Sequence, residues 1–157
     1  MALFAFLVYL ATSVHAFGMT GYDVAISMLG KQIDTVKEAI PILYEENEPR
    51  RDDSDLIQTG LINHNAVASE VWSFSRHLNR EDRRLNKVVY QLTRMACNRS
   101  NSGAFIASLR NKFGREYAAT DENLQGSLVR VYQWKAKNKV NVSAAVSPVC
   151  VVNIFRD

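Results

Sequence analysis

The two cysteines, Cys97 and Cys150, constrain the fold of this chain more than any other feature. A disulfide between them closes a loop of about 54 residues, which the chain-entropy model values at roughly 4 kcal/mol. That is a large share of the roughly 5–15 kcal/mol by which a typical domain is stable. A metal site lacks further ligands nearby in the sequence, and a catalytic thiol lacks a neighbouring base. We therefore predict a Cys97–Cys150 disulfide in an oxidising compartment.

The N-terminus supplies the evidence for such a compartment. Residues 1–10 form an unbroken apolar run, and the following six residues end in Val14-His15-Ala16. A short apolar core followed by a small-x-small step is typical of a secretory signal peptide, and it is shorter than the roughly 20 apolar residues of a membrane span. We interpret residues 1–16 as a signal peptide and residues 17–157 as a single secreted, extracellular helical domain. We expect no transmembrane segment.

Two sequons agree with export. Asn98-Arg99-Ser100 and Asn141-Val142-Ser143 both match the acceptor pattern for N-glycosylation. Both asparagines are expected in exposed loops, since Asn98 opens a polar turn and Asn141 follows the last helical pattern. We predict a glycoprotein with Asn98 and Asn141 as attachment sites.

Apolar residues recur at steps of three and four along most of the chain, which is the spacing of one helix face. The clearest example begins after a Thr20-x-x-Asp23 start and ends near Pro41. Its apolar positions are Ile26, Leu29, Ile33, Val36 and Ile40. Similar seams predict a second helix from Asp53 or Ser54 to about Asn79, a third after residues 79–82, a fourth ending at Gly114, and a fifth capped by Thr120. Whether the second and third helices are separate is left open.

The segments between these seams differ in character. Residues 45–55 are acidic and aperiodic, with a proline, and predict an exposed loop. From Val140 onward the chain is rich in β-branched and aromatic residues, and Pro148 excludes a regular helix. We find no internal repeat. The expected fold is an all-α, four- or five-helix bundle with an extended C-terminal tail tethered by one disulfide.

Charge is distributed unevenly between the halves of the chain. Residues 17–75 carry four Lys or Arg against ten Asp or Glu, a net charge of −6, whereas residues 76–157 carry fifteen against six, a net charge of +9. Either two faces of one bundle dock with complementary charge, or the basic half faces an anionic extracellular partner. No dense basic run with interleaved aromatics indicates nucleic acid. The candidate basic contact surface consists of Arg80, Arg83, Arg84, Lys87, Lys135, Lys137 and Lys139.

The residues that carry chemistry are few. His64 and His77 are thirteen residues apart, which does not make the i, i+4 pair of a helical zinc site. His64 lies on an apolar seam and is interpreted as a structural histidine. The carboxylates of residues 45–55 lack the order of a calcium loop and the apolar flank of an acid–base pair. We therefore expect no catalytic residue, no metal, no cofactor and no enzymatic activity.

Dibasic pairs raise the alternative of precursor processing. Arg50-Arg51 lies in the predicted acidic loop and Arg83-Arg84 lies near the third helix. Cleavage at the first pair would release the best-patterned helix, and cleavage at the second would interrupt a patterned region. Whether either pair is processed is left open.

Two functions from different classes follow from these observations. The first is a secreted, non-enzymatic bundle that binds an extracellular receptor, protein or polyanion through its surface, with Trp72 or Trp134 as candidate anchors. The second is a carrier of a small apolar ligand in a cavity inside the bundle. The candidate cavity lining is Met28, Phe74, Tyr90, Met95, Phe105, Phe113, Tyr117 and Tyr132.

Overall fold

The computed structural model describes residues 21–41, 43–45, 56–60, 67–75, 79–124 and 126–156. The predicted signal peptide, most of the acidic loop, the Arg50-Arg51 pair, His64 and His77 lie outside the described residues. The described helices are α1 (Tyr22–Met28), α2 (Ile33–Ala39) and α3 (Ser102–Phe113). The strands are β1 (Tyr44–Glu45), β2 (Leu56–Gly60), β3 (Val67–Phe74), β4 (Leu85–Leu92), β5 (Ala118–Leu124), β6 (Ser127–Ala136), β7 (Val140–Val146) and β8 (Cys150–Arg156). Short 3-10 turns lie at Arg80–Asp82 and Lys137–Lys139.

The strands form one antiparallel sheet in the order β1-β2-β3-β4-β8-β7-β6-β5. The two halves of the chain share one topology: α1 and α2 precede the meander β1–β4, and α3 precedes the meander β5–β8. The halves join edge to edge through their last strands, β4 and β8. This repeat of topology has no counterpart that we detect in the sequence. The expected all-α bundle is thus wrong: the chain is rich in strand and has three short helices in its described part.

Alternation along the strands separates two faces of the sheet. In β7, residues 140, 142, 144 and 146 are buried, whereas residues 141, 143 and 145 are half-buried. The buried face carries Trp72, Tyr90 and Trp134 and forms one core with apolar residues from all three helices, among them Ile33 and Leu109. Burial of each such side chain contributes about 1.5–3 kcal/mol. We call the opposite face, on which none of the described helices packs, the helix-free face.

The predicted first helix is two helices separated by a turn. Gly30 has φ of 83°, a left-handed conformation that other residues rarely adopt. Its amide donates to the Leu85 carbonyl at 2.7 Å, and the Leu85 amide donates to the Lys31 carbonyl at 2.9 Å. The turn thus pairs with the start of β4. The apolar spacing is still used, since Leu29, Ile33 and Val36 are all buried, but by two elements rather than one.

The predicted second and third helices are wrong because a spacing of four residues fits one face of a strand as well as one face of a helix. In β4, Val88, Tyr90 and Leu92 alternate with more exposed neighbours and share the buried face. An irregular register between Ser73 and Phe74 places Leu85 opposite Phe74, so Leu85 and Val88 are both buried although three residues apart. The apolar spacing that predicted the second helix includes Val71 and Phe74, but these residues lie on opposite faces of β3.

The predicted fifth helix is also wrong, because its residues lie in β5 and β6. Leu124 and Leu128 flank the hairpin between these strands and are 53% and 54% exposed. The fourth helix is confirmed as α3, with Ile106 and Leu109 buried. Gly114 ends α3 with φ of 83°, and its amide donates to the Arg110 carbonyl at 2.8 Å.

The tail predicted to be an extended strap is the hairpin β7–β8, and it lies in the middle of the sheet. Strand β8 pairs with β4 on one side and with β7 on the other. The Cys97–Cys150 disulfide is confirmed, with Cα atoms 5.5 Å apart and both residues buried. It joins the turn after β4 to the first residue of β8. In the described residues the longest helix has twelve residues, and no helix is long and apolar enough to cross a membrane.

Candidate functional site

Strand register brings two lysines, an aromatic ring and an amide into one line across the sheet. Lys87 of β4 pairs with Phe155 of β8, Phe155 pairs with Asn141 of β7, and Asn141 pairs with Lys135 of β6. We call these four residues the basic row. Neighbouring strands lie about 4.8 Å apart, so three spacings place the two lysine Cα atoms about 14 Å from each other.

The basic row lies on the helix-free face. In β8, Val152 and Ile154 are buried against the helices, whereas Asn153 and Phe155 between and beyond them are half-buried. The same alternation places Asn141 and Lys135 on the outer side of their strands, with Lys135 exposed. Of the row, Lys135 is exposed, whereas Lys87, Asn141 and Phe155 are half-buried.

Further cations surround the row because several strands begin or end at this end of the sheet. Lys137 and Lys139 are exposed in the turn between β6 and β7, where Asn138 and Lys139 have left-handed φ values of 61° and 58°. Arg156 follows Phe155 and is exposed, but its guanidinium lies on the opposite side of β8, near Gly30. Arg83 and Arg84 lie immediately before β4, and Arg84 is exposed.

The seven basic residues predicted from the sequence thus lie at one end of the sheet, although their predicted helices do not exist. Arg80 belongs to the turn before β4, and its side chain lies outside the described residues. The sequence reasoning missed Phe155 and the position of Asn141 between Phe155 and Lys135. The signal for them was the alternation of Asn141 and Ser143 with apolar residues in β7, and of Asn153 and Phe155 with apolar residues in β8.

Three cations elsewhere in the described chain are paired with carboxylates. Arg110 forms a two-pronged ion pair with Glu116, Lys112 Nζ lies 2.6 Å from Asp23, and Arg130 lies 2.7 Å from Asp121. Among the described residues, Lys87 and Lys135 have no such ion pair. Lys135 Nζ instead lies 5.7 Å from the ring centroid of Tyr117, a cation–π contact. The positive charge of the row therefore faces solvent without a fixed counter-ion.

Exposed carboxylates also lie at this end of the sheet. Glu81 and Asp82 lie in the turn before β4 and are exposed. The best-anchored carboxylate of the second half, Glu116, is held by Arg110, whose hydrogen bonds lower the pKa of Glu116 from 4.5 to about 2. Glu116 therefore stays ionised and paired with Arg110 at neutral pH.

The two predicted glycosylation sites lie at opposite ends of the sheet. Asn98 is in the turn after β4, beside Cys97, as expected for a loop site. Its side-chain oxygen accepts hydrogen bonds from the amide and hydroxyl of Ser100 at 2.8 and 2.5 Å, and its nitrogen donates to the Arg94 carbonyl at 2.8 Å. Asn141 is not in a loop, since it is a half-buried residue of the inner strand β7.

Six of the eight residues predicted to line a cavity lie in or against the core, and two lie on the surface. Phe74 and Tyr90 are fully buried in the core, and Met28, Phe105, Phe113 and Tyr132 are half-buried against it. Met95 and Tyr117 lie on the surface, 89% and 58% exposed. The helical bundle that was expected to enclose these residues is not the fold of the described chain.

One buried carboxylate, Glu70 of β3, was not noticed in the sequence. It is fully buried, accepts a hydrogen bond from the Trp72 indole nitrogen at 2.8 Å, and pairs with Tyr90 across the strands. Buried polar groups in cores are normally satisfied and orient their neighbours. Because no surface of Glu70 is accessible, we assign it a structural role in holding Trp72.

Neither metal binding nor processing gains support within the described ranges. No three His, Cys, Asp or Glu side chains in this part of the chain are placed to hold a metal ion. The Arg83-Arg84 backbone is engaged, because the Arg83 carbonyl accepts from Ile33 at 3.2 Å and the Arg84 carbonyl accepts from Ser75 at 2.7 Å. Cleavage there would require these pairings to open first.

Comparison with protein-family models, with curated proteins and with solved structures finds no match. The functional inference therefore depends on the residues and geometry described above.

Proposed function

We propose that this chain is a secreted, non-enzymatic protein that binds a sulfated polysaccharide through the basic row and the cations around it. The observation that carries the proposal is the strand register, which aligns Lys87 and Lys135 on either side of Phe155 and Asn141. Single-sign charge on one surface raises the local concentration of an oppositely charged partner and speeds its association.

The spacing of the two unpaired lysine charges supports a ligand that spans the row. At about 14 Å in water, two like charges repel by only about 0.3 kcal/mol, and salt at 0.15 M screens them further because the Debye length is about 8 Å. The two lysines therefore tolerate each other without a counter-ion. An extended polyanion neutralises both at once and gains a contact at each.

The residues between the lysines favour a saccharide over an acidic protein. Phe155 offers a half-buried aromatic surface between the two lysines. An aromatic ring with cations on both sides matches the apolar faces and the sulfates of such a chain. An acidic protein partner is the alternative outcome of the test below.

The test is salt-dependent binding to heparin, used as the probe, by protein produced without N-linked glycans. The double variant Lys87→Gln/Lys135→Gln removes two charges from the row. The matched control Arg94→Gln/Arg99→Gln removes two charges from the turn at the other end of the sheet. With about 0.2–1 kcal/mol per exposed charge contact, we expect the row variant to bind about tenfold more weakly and to elute at lower salt.

The control variant is expected to bind nearly as the parent protein does, with both variants checked for an unchanged melting midpoint. Equal loss in the two variants would show that net charge alone governs retention, and would refute the role of the row. Retention on an acidic polypeptide but not on heparin would favour the protein partner.

A further inference from the structure

We propose that Asn141 carries an N-linked glycan that controls access to the basic row, so that only chains unmodified at Asn141 bind the polyanion. This inference rests on the proposed function. It concerns the regulation of the same surface.

The first argument is the placement of the sequon on the sheet. Asn141 and Ser143 are two residues apart in β7, and both lie on the helix-free face while Val142 between them is buried. Strand β7 is an inner strand, flanked by β6 and β8. A glycan on Asn141 therefore leaves the protein through the helix-free face, because the other side of the strand is filled by the core.

The second argument is proximity. Asn141 pairs directly with Lys135 on one side and with Phe155 on the other. Residues paired across antiparallel strands have Cα atoms about 4.5–5.5 Å apart. An N-linked glycan is bulky and solvated. A glycan attached here stands above Phe155 and between the two lysines, so it excludes a chain that must contact all three.

The third argument is the contrast with Asn98. Cys150 lies five residues, or about 17 Å, from Phe155 along β8. Cys97 is joined to Cys150, with Cα atoms 5.5 Å apart, and Asn98 follows Cys97. Asn98 is therefore at the far end of the sheet. A glycan on Asn98 leaves the row open, which makes this second sequon an internal control.

The experiment uses the full chain secreted by a eukaryotic host that adds N-linked glycans. Intact-mass measurement after peptide mapping gives the occupancy of each sequon. The informative variant is Ser143→Ala, which abolishes the sequon but keeps the Asn141 side chain in the row. Asn98→Gln is the control. Parent protein and variants are compared by Kd for heparin at 0.15 M salt.

The expected result is occupancy at Asn141 in the parent protein, together with at least tenfold tighter binding by Ser143→Ala than by the glycosylated parent. Asn98→Gln is expected to bind as the parent does. An unmodified Asn141 in the parent would overturn the inference, and so would equal binding by the glycosylated parent and Ser143→Ala.

Failure of the proposed function has a different signature. If Ser143→Ala, free of the Asn141 glycan, is not retained on heparin even at low salt, the row does not bind polyanions and the control attributed to the glycan is refuted with it. If Ser143→Ala is retained and adding Lys87→Gln/Lys135→Gln to it weakens binding, the proposed function stands whatever the glycan does.

Discussion

Removing the Cys97–Cys150 bridge should lower stability chiefly by freeing the unfolded chain. The disulfide spans 53 positions in sequence and joins the end of the β4 turn to the start of β8. Chain-entropy bookkeeping gives roughly 4 kcal/mol for a loop of this length. Both cysteines are buried in the core, so Cys97→Ala/Cys150→Ala adds a packing loss of about 1 kcal/mol to that figure.

For a chain of this size, each 1 kcal/mol shifts the melting midpoint by roughly 2–4 °C. We therefore expect the midpoint to fall by about 8–16 °C when the bridge is reduced, and by slightly more in the double alanine variant. The assay is calorimetry of the oxidised, the reduced and the Cys97→Ala/Cys150→Ala proteins, with Met95→Ala as control because Met95 is 89% exposed. The control should move the midpoint by less than about 2 °C.

Denaturant unfolding separates the two sources of this loss. If the bridge acts on the unfolded state, its removal lets that state expand, and the m-value should rise. A midpoint shift below about 3 °C with an unchanged m-value would refute the reasoning. It would mean that the β4–β8 contacts already hold the loop closed without the covalent bond.

Two further predictions concern other positions. Gly30→Ala should lower the free energy of unfolding by about 1–2 kcal/mol in chemical denaturation, because Gly30 has φ of 83° and an added Cβ would lie 3.1 Å from Arg156 Nη1. The control is Gly103→Ala on α3, where an added Cβ meets open space, and it should leave the stability unchanged or slightly raised. Arg110→Gln should return the pKa of Glu116 from about 2 towards 4.5 in an NMR titration. The lowered pKa means that ionised Glu116 stabilises the folded state, fully above pH 4.5 and progressively less as the pH falls towards 2. The difference in unfolding free energy between the parent protein and Arg110→Gln should therefore vanish near pH 2. A Glu116 pKa of about 2 in the variant would contradict this.

The correctly predicted elements depend either on neighbouring residues in the sequence or on a residue type with a single possible partner. The fourth helix is recognisable from Ile106, Leu109 and the Gly114 stop, because all the information lies within thirteen residues. The disulfide is recognisable because the chain has only two cysteines. Gly30 also held local information, since a glycine inside a helical pattern marks a break, but the seam from Ile26 to Ile40 was given more weight.

The strands were mistaken for helices because their apolar spacing did not discriminate between the two. Val88 and Leu92 are four residues apart, which fits one face of either element. The better signal is the clustering of β-branched and aromatic residues within each strand, with Val67, Val71, Trp72 and Phe74 in β3 and Val88, Val89 and Tyr90 in β4. Such side chains favour the pleated, half-buried surface of a sheet, as they do in residues 140–156, which the sequence predicts to be extended.

The sequence predicted the lysines of the candidate site but not how they align across the sheet. The excess of basic residues in the second half of the chain is a property of the sequence, and it selected Lys87 and Lys135. Their alignment around Phe155 and Asn141 depends on which strands pair and in what register. A shift of one residue in β8 would turn Phe155 inward and break the row.

The disulfide partners, the α3 helix and the surplus of positive charge can be read from the sequence, because each depends on residue identity or on neighbours within a few turns of helix. The insertion of β8 between β4 and β7, which places Lys87 and Lys135 on the same face of the sheet, depends on long-range strand pairing. A strand cannot satisfy its own backbone hydrogen bonds, so it depends on its neighbours. Strand β8 finds one neighbour, β7, nearby in the sequence, but its other neighbour, β4, lies more than fifty positions away, and the register is set when the buried faces of both strands meet.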